Sequence, residues 1–407
     1  MYGSVLNCIS MLSGTSKNMF NLNLSPSELK LIRRVVVFSI LGCVVLVSGV
    51  WLYFNLQLKT DAVSIRKKEK INGSREILPI DMEAHRLIAA RYMQTGTPEK
   101  AVPFLERVFA LNKKDLSVLC DLANASLETG YYREALKYYD LLLKKAKGDS
   151  MTNVCCARRG IALYYLNKIE ESTTTLLECT RRFPENAEAW CFLGQIEAFR
   201  NTAPEKAVEY FSRALSVDST YTEGWYQMAR YYMDKKIYIK ARELLLTALS
   251  INPFHSKSHS RLGMVYYYLE YPELAKKSYQ TAIVLNPDDF NTRYNLGELL
   301  YGVLEDTLEA LKQYKMAFSL NPGLYEAAFK IGLICMGNGM NKEAVNFFEK
   351  ALDISPDNIR ILLQCAVVWE RLGRKDRALA LYRKILSLDE LHAIARQKLK
   401  LLEDVDR

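Results

Sequence analysis

The chain has 407 residues, of which 49% are hydrophobic and 25% are charged, so we expect a large folded body and exclude a chain that is disordered throughout. Its formal net charge of +9 is unevenly distributed, because residues 1–80 hold ten Lys or Arg and four Asp or Glu, whereas residues 81–407 hold 45 and 42. The long C-terminal part is therefore nearly neutral, and its charge gives no support to nucleic-acid binding.

An apolar run follows residues 1–34, which are rich in Ser and Asn and which we predict to be a mobile tail. Residues 35–54 contain neither a charge nor a proline, and as a helix they would span ~30 Å, the thickness of a bilayer's hydrocarbon core. Trp51 and Tyr53 lie where interfacial aromatic residues are expected. We predict a transmembrane helix over residues 35–56. A buried core helix and a cleaved signal peptide are less favoured, because the run is not amphipathic and is too long for a signal peptide.

Basic residues flank both ends of this predicted helix, so the positive-inside rule does not decide its orientation. Arg33 and Arg34 adjoin its N-terminal end, which slightly favours a cytoplasmic N-terminus and a C-terminal body outside the cytoplasm. Residues 57–80, with a cationic run at residues 66–70, are predicted to form a basic juxtamembrane linker. The linker either contacts anionic lipid headgroups or serves as a solvated spacer, and its sequence favours neither.

A repeat with a period of 34 or 35 residues occupies most of the remaining chain. Ala275, Tyr279, Ala282 and Pro287 form a set whose equivalents recur before and after it. Such a period is the sequence signature of stacked structural repeats. The first small residue of the set occurs nine times, with one interval of 37 residues: Ala101, Ala135, Ser172, Ala207, Ala241, Ala275, Ala310, Ala344 and Ala378. The closing proline also recurs: Pro253, Pro287, Pro322 and Pro356.

Each repeat unit is predicted to hold two helices joined by a short turn. Apolar residues occur at helical intervals, as at Trp225, Ala229 and Tyr232. Small residues where two helices cross let their backbones approach, and a bulky side chain there would cost roughly 1–3 kcal/mol. The proline ends the second helix. A second series of small residues lies 12 or 13 residues before the first: Ala89, Ala123, Gly160, Gly194, Ala229, Gly263, Gly297, Gly332 and Ala366.

These residues resemble the tetratricopeptide repeat, a pattern of Trp, Leu-Gly, Tyr, Ala, Phe, Ala and Pro. The fourth unit matches it with Trp190, Leu193, Gly194, Ala207, Phe211 and Ala214. The resemblance implies an all-α fold, a right-handed superhelical solenoid of about nine helix-turn-helix units over residues 81–390. We expect Lys144 to Thr152 to form an enlarged loop between the second and third units.

Residues 391–407 are predicted to form a capping helix, because a solenoid needs a polar outer face at its end. Its apolar side is expected to cover the ninth unit. The residues of that side are Leu391, Ile394, Ala395, Leu399 and Leu402.

In the tetratricopeptide family the first helix of each unit lines a concave groove, so the resemblance implies a partner-binding surface there. The implied groove residues are Tyr164, Tyr165, Phe199, Tyr226, Tyr267, Tyr268, Tyr294, Tyr301 and Phe329, with Met264 and Met336 beside them. Large aromatic side chains are common anchors of peptide interfaces, although some would instead complete the packing between first helices. The family's clamp for a C-terminal carboxylate is incomplete, because Cys120 and Arg158 replace its lysine and asparagine, although Asn124 is present.

Residues suited to catalysis or metal binding are sparse. Of the four histidines only His255 and His259 are close in sequence, and no carboxylate or thiol is spaced to complete a metal site with them. Phosphate-binding glycine loops and nucleophile elbows are lacking. We therefore expect no enzyme activity, no cofactor, no metal, no nucleic-acid ligand and no small-molecule substrate.

Four cysteines at packing positions are predicted to be unpaired core thiols. A reducing compartment would suit them, which argues against a body outside the cytoplasm, and so would an exterior with little oxidising machinery. The four cysteines are Cys156, Cys179, Cys335 and Cys365.

The sequence therefore predicts a single-pass membrane protein whose repeats bind a protein or peptide segment and act as a scaffold. An alternative is a non-catalytic accessory subunit that selects substrates for an envelope-biogenesis or glycosyl-transfer machine. A cytoplasmic-facing adaptor for protein quality control is a third interpretation.

Overall fold

The computed structural model describes residues 79–404, apart from residues 95, 96, 146, 147 and 202. The predicted tail, the predicted transmembrane helix over residues 35–56 and all but the last two residues of the predicted linker lie outside the described residues. Within the part that is described, no helix has the length and apolar character needed to cross a bilayer.

The described residues form nineteen α-helices and no strand, as the all-α prediction requires. They are α1 Pro79–Gln94, α2 Pro98–Leu111, α3 Leu116–Glu128, α4 Tyr132–Lys145, α5 Asp149–Tyr165, α6 Ile169–Arg182, α7 Ala187–Arg200, α8 Pro204–Val217, α9 Thr222–Asp234, α10 Tyr238–Ile251, α11 Ser256–Tyr268, α12 Pro272–Leu285, α13 Phe290–Gly302, α14 Thr307–Leu320, α15 Tyr325–Gly337, α16 Asn341–Ile354, α17 Ile359–Arg371, α18 Lys375–Leu388 and α19 Ala393–Asp404. Units 1 to 9 are the successive pairs from α1 and α2 to α17 and α18, and α19 follows them.

Polar side chains fix the start of several first helices. Asp115, Asp289 and Asn358 each accept hydrogen bonds from two backbone N–H groups in the first turn of the helix that follows. Asn186 accepts one such bond at the start of α7. These caps satisfy N–H groups that have no partner within the helix, and each contributes about 1 kcal/mol.

Small residues mark the crossing of the two helices in every unit. All nine in the second helices are fully buried, including Ser172, whose hydroxyl donates to the carbonyl of Gly160 at 2.7 Å. A Cβ on Gly332 would lie 2.5 Å from a ring carbon of Phe348, closer than real Cβ contacts allow. The glycine in the first helix therefore makes room for a large side chain of the second. The same contact recurs at Gly160 with Leu176, Gly194 with Phe211, Gly263 with Tyr279, and Gly297 with Tyr314.

A hydrogen bond from the first helix to the preceding turn recurs along the stack. The indole N–H of Trp190 donates to the carbonyl of Pro184 at 2.9 Å, six residues earlier. His259 occupies the same position in unit 6, where its Nε2 lies 2.9 Å from the carbonyl oxygen of Pro253. This contact accounts for His259 without a metal. Equivalent bonds join Trp225 to Ser219, Arg293 to Pro287, and Arg396 to Glu390.

The turn inside each of units 2 to 9 contains one residue with positive φ. Glycine takes this conformation without strain, whereas other residues adopt it at a cost of about 1–2 kcal/mol. Glu270 has φ 63° and Gly339 has φ 74°. The complete set is Gly130, Asn167, Asn201, Lys236, Glu270, Glu305, Gly339 and Gly373.

Neighbouring units pack unevenly on their two sides. Each second helix from α4 to α16 contacts the first helix of the next unit, and most first helices of neighbouring units also contact each other. Successive second helices make no comparable contact within the described part of the chain. The first helices therefore lie on the inner, more crowded side of the stack, which is the side of the predicted groove.

Two local predictions were wrong. The insertion before unit 3 does not enlarge the loop, because α5 begins at Asp149 and is lengthened to 17 residues. In α19, Ala395 is buried and Leu399 and Leu402 pack on Tyr382 and its neighbours, but Leu391 and Ile394 are exposed. The apolar side of the last helix is thus narrower than its sequence indicates. The first helix begins at Pro79, two residues before the predicted boundary.

Candidate peptide-binding groove

The structure divides the nine aromatic residues assigned to the groove into three groups by exposure. Tyr267 is 40% exposed and Phe199 is 70% exposed, and Tyr165, Tyr268 and Tyr301 are exposed as well. All five lie in the last turn of the first helix to which they belong. They are the solvent-facing aromatic residues of the predicted groove.

The remaining four are partly or wholly covered. Tyr164 and Tyr294 are half-buried, whereas Tyr226 is only 6% exposed and Phe329 only 8%. Tyr226 packs in the core around α9, with its ring centroid 5.3 Å from that of His255. Tyr226 and Phe329 therefore contribute to packing between units and offer little surface to a partner.

One exposed aromatic cluster lies in units 2 to 4. The ring of Tyr165 stacks on that of Tyr132 with centroids 4.7 Å apart and an interplanar angle of 11°. Tyr164 approaches Tyr165 edge-on at 5.5 Å and Phe199 at 6.4 Å. Phe192 also meets Tyr165 edge-on, at 6.3 Å. Such contacts hold the rings in place and are worth about 0.5–1.5 kcal/mol per pair.

A second cluster lies in units 5 and 6 and repeats the same stacking. The ring of Tyr268 stacks on Tyr238 of the preceding unit, again with centroids 4.7 Å apart and an angle of 9°. Tyr267 meets Tyr268 edge-on at 5.4 Å. Tyr301 lies below the ammonium group of Lys330, 5.8 Å from its ring centroid. In both clusters a first-helix tyrosine rests on the opening residue of the preceding second helix, which the sequence pattern alone did not indicate.

Several charged side chains of the first helices are paired with a charge of a neighbouring unit. The guanidinium of Arg158 lies 3.4 Å from the carboxylate of Glu188. Glu298 and Lys330 are 2.8 Å apart, and Lys398 of α19 is 2.8 Å from Glu370. These pairs are partly exposed, so each stabilises by no more than about 1 kcal/mol. They nevertheless fix the register between units.

Glu298 also accepts a hydrogen bond from the hydroxyl of Tyr314 at 2.6 Å. Burial together with this carboxylate raises the pKa of Tyr314. In unit 5, burial alone would raise the pKa of Glu223, but the nearby imidazole of His255 and a hydrogen bond from Gln227 hold it below its ordinary value. Glu223 therefore remains ionised near neutral pH.

Two arginines lie next to the aromatic clusters. Burial raises the pKa of Tyr165, and the nearby Arg230 opposes this effect. Burial likewise raises the pKa of Tyr279, with Arg261 opposing. Arg230 and Arg261 are half-buried on α9 and α11.

The incomplete carboxylate clamp forms a different polar site. Asn124 accepts a hydrogen bond from the hydroxyl of Tyr139 at 2.7 Å, and its amide lies 3.7 Å from the sulfur of Cys120. A hydrogen bond from Cys155 holds the pKa of Cys120 at about 7 against the effect of burial. The same contact and burial raise the pKa of Cys155. Because the cation here, Arg158, is paired with Glu188, this site is poorly suited to a C-terminal carboxylate.

The prediction of unpaired thiols was wrong for two of the four cysteines. A disulfide joins Cys156 of α5 to Cys179 of α6, with their Cα atoms 5.7 Å apart. Cys335 and Cys365 are free and buried. The two helices of unit 3 bring together residues that are 23 positions apart in the sequence. Among the described residues no group of three His, Cys, Asp or Glu side chains is arranged to hold a metal ion.

Comparison with known families supports the architecture described above. Sequence models of the tetratricopeptide repeat match residues 158–226, 222–255, 256–289 and 335–400. The chain carries tetratricopeptide repeats. The matched segments include most of unit 3, units 4 to 6, α16, unit 9 and most of α19. The structure shows the same helix pairs in units 1, 2, 7 and 8.

The repeats are similar to those of curated proteins of different sizes. The anaphase-promoting complex subunit 3 of Schizosaccharomyces pombe is 26% identical over 259 residues, which are 61% of this chain and 38% of that protein. A tetratricopeptide-repeat-containing protein of Methanocaldococcus jannaschii is 24% identical over 380 residues, with 79% of this chain and 66% of that protein covered. The chain thus spans about two fifths of the first relative and just under two thirds of the second.

A solved structure shares the fold over three quarters of the chain. It is described as the APC/C hetero-tetramer Cut9-Hcn1, and the match has a TM-score of 0.51 at 18% identity. It covers 75% of this chain and 58% of the chain it matches. At that identity the likeness concerns the fold alone.

Proposed function

We propose that this repeat protein is a scaffold that binds an extended segment of another protein along its first helices. The observation that carries the proposal is the exposure of Tyr267, Tyr268 and Tyr301 on the inner side of the stack. Tyrosines combine a large apolar ring with a hydroxyl that can hydrogen-bond, and they are enriched among the residues that dominate binding energy. The stacking of Tyr268 on Tyr238 holds its ring in place before a partner arrives.

The proposal includes attachment to a membrane through residues 35–56. The support is the charge-free run of residues 35–54, long enough to cross a bilayer as a helix. The proposed orientation has the N-terminus in the cytoplasm and the repeats outside it.

The disulfide between Cys156 and Cys179 supports a location of the repeats outside the cytoplasm, because disulfides persist in oxidising compartments. Protease added to cells whose outer layers have been removed should digest the repeats, and protection until membrane lysis would reverse the orientation.

A crosslinking experiment tests the binding surface and names the partner. A photoreactive amino acid placed at Tyr267 in the full chain should capture a partner in intact cells after illumination. The matched control places it at Tyr131, which is also exposed but lies in a turn of unit 2. Equal capture at both positions would contradict a groove site.

Titration of the captured partner then measures how much binding free energy is lost when each tyrosine is truncated. Tyr267→Ala and Tyr301→Ala should each weaken binding by at least about 1 kcal/mol, and one of them by about 2 kcal/mol or more. Thermal unfolding of the same variants should change little, since both side chains are exposed. If affinity falls only in proportion to stability, the tyrosines are packing residues and the binding surface lies elsewhere.

A further inference from the structure

The repeat brings together two positions on the first helices of adjacent units, and the junction of units 7 and 8 shows the contact directly. In the earlier unit, the position is the residue directly after the small residue of its first helix. In the later unit, the position lies two residues before the small residue of its first helix. At the junction of units 7 and 8 these are Glu298, after Gly297, and Lys330, before Gly332. Their carboxylate oxygen and ammonium nitrogen are 2.8 Å apart. Charges at these two positions therefore meet directly on the inner side of the stack.

At the junction of units 5 and 6 the same two positions hold Arg230, after Ala229, and Arg261, before Gly263. Two like charges thus occupy the positions that form an ion pair two units later. Each guanidinium has only a neutral partner on its own helix. Arg230 donates to the amide oxygen of Gln227 at 2.9 Å, and Arg261 lies 3.2 Å from the sulfur of Met264.

No carboxylate of the described residues forms an ion pair with either arginine. Glu223 lies in the first turn of α9, at the start of unit 5. Its carboxylate contacts Gln227 at 2.5 Å and His255 at 3.6 Å instead. The equivalence of repeat positions places these two half-buried guanidinium groups on facing parts of neighbouring first helices, so a carboxylate bound between them would be attracted to both. Guanidinium groups bind carboxylates through paired hydrogen bonds, which are stronger than neutral ones.

We infer that Arg230 and Arg261 form a binding site for an aspartate or glutamate side chain of the partner segment. Arg230 is close to Tyr165, and Arg261 is close to Tyr279, which Tyr267 and Tyr268 also approach. The partner chemistry that fits is an extended segment with an acidic residue flanked by large apolar residues. This inference rests on the proposed groove function and specifies its ligand.

Selection from a displayed library of random dodecapeptides tests the inference with the full chain as bait. Selected peptides should be enriched in Asp or Glu next to aromatic or aliphatic residues. The enrichment in acidic residues should disappear with the Arg230→Gln/Arg261→Gln bait. The control bait, Arg133→Gln/Arg181→Gln, removes the same charge from exposed positions on α4 and α6. Peptides selected with this control should still be enriched in acidic residues.

Titration with one selected peptide gives the magnitude. Its affinity should fall at least about tenfold with Arg230→Gln/Arg261→Gln, which is what the loss of a charge-assisted hydrogen bond produces. A peptide with Asn or Gln in place of the acid should bind both proteins equally. A phosphoserine peptide that binds much more tightly than the acidic one would overturn the assignment to carboxylate.

Arg230→Glu supplies a variant whose folding should improve. It recreates at this junction the charge pattern of Glu298 and Lys330, so its thermal midpoint should rise while the preference for acidic peptides is lost. An unchanged preference, or no enrichment over the control bait, would overturn the inference. In that case Tyr267→Ala distinguishes the two proposals. If Tyr267→Ala abolishes partner binding, the groove function stands without the acidic site. If Tyr267→Ala leaves partner binding unchanged, both proposals fail.

Discussion

Gly263 lies directly against the ring of Tyr279, so closely that a Cβ on the glycine would be 2.6 Å from Cδ1 of the tyrosine. Tyr279 is almost fully buried and forms part of the core shared by units 6 to 9. The pairing of a missing side chain in one helix with a ring in the other fixes how the two helices cross. Because a ring fills this place in four units and Leu176 fills it in a fifth, the pairing sets the shape of the repeat itself.

Gly263→Ala is expected to destabilise the protein by roughly 1–3 kcal/mol, because the methyl group has no space unless the ring or the helix moves. Gly302→Ala is the matched control, since nothing lies within 4 Å of a Cβ at that exposed position. The control should be neutral or slightly stabilising, because alanine favours helix over glycine by about 1 kcal/mol. Urea unfolding followed by circular dichroism measures both. Equal stabilities for the two variants would contradict the packing argument.

Phe329 and Tyr268 should respond in opposite ways to truncation although both were assigned to the groove from the sequence. Phe329 is buried beside Phe348, so Phe329→Ala should cost about 3–5 kcal/mol of folding free energy. Tyr268 is exposed and loses mainly its stacking on Tyr238, so Tyr268→Ala should cost about 1 kcal/mol. Thermal unfolding of the two variants tests the order, and the reverse order would show that Tyr268 is a core residue.

Breaking the disulfide between Cys156 and Cys179 should lower the free energy of unfolding by about 2–4 kcal/mol, because the cross-link restricts the unfolded chain across a separation of 23 residues. Cys156→Ala and a reducing agent should produce similar shifts in the thermal midpoint. The reducing agent should have no further effect on Cys156→Ala. A further decrease in that variant would point to another disulfide, and no effect on the unmodified protein would mean that these cysteines are not joined.

Cys120 should be the most readily alkylated of the free thiols in the described part of the chain. The Cys155 thiol lowers the pKa of Cys120, so more of this thiol is ionised near neutral pH than of an ordinary cysteine, and its side chain is partly exposed. Its alkylation rate, followed residue by residue with mass spectrometry, should rise with pH with a midpoint below that of an ordinary cysteine. Cys155→Ala removes the hydrogen bond that lowers this pKa, so the midpoint should move to higher pH. Cys365 is the internal control, since burial raises its pKa to about 12.

The positions of the repeats were encoded locally and could be read from the sequence. Small residues at a period of 34 or 35 are required wherever two helices cross, so their spacing alone gave the number of units and the place of each helix pair. The all-α prediction and the stacked repeats were confirmed by the structure and by the family comparison. Local spacing was less informative where helix length could change, as with the extended start of α5 at Asp149.

The tertiary structure decided which groove residues face solvent and which charges meet. Tyr226 and Tyr267 both lie on first helices, yet only the packing of the neighbouring unit buries the first and leaves the second exposed. The disulfide of unit 3 likewise depends on how two helices cross. The contact of Glu298 with Lys330 shows which positions of neighbouring first helices meet, and Arg230 and Arg261 occupy the same two positions in units 5 and 6. Sequence spacing fixes the face on which a side chain lies, whereas exposure and pairing depend on distances between units that only the folded stack sets.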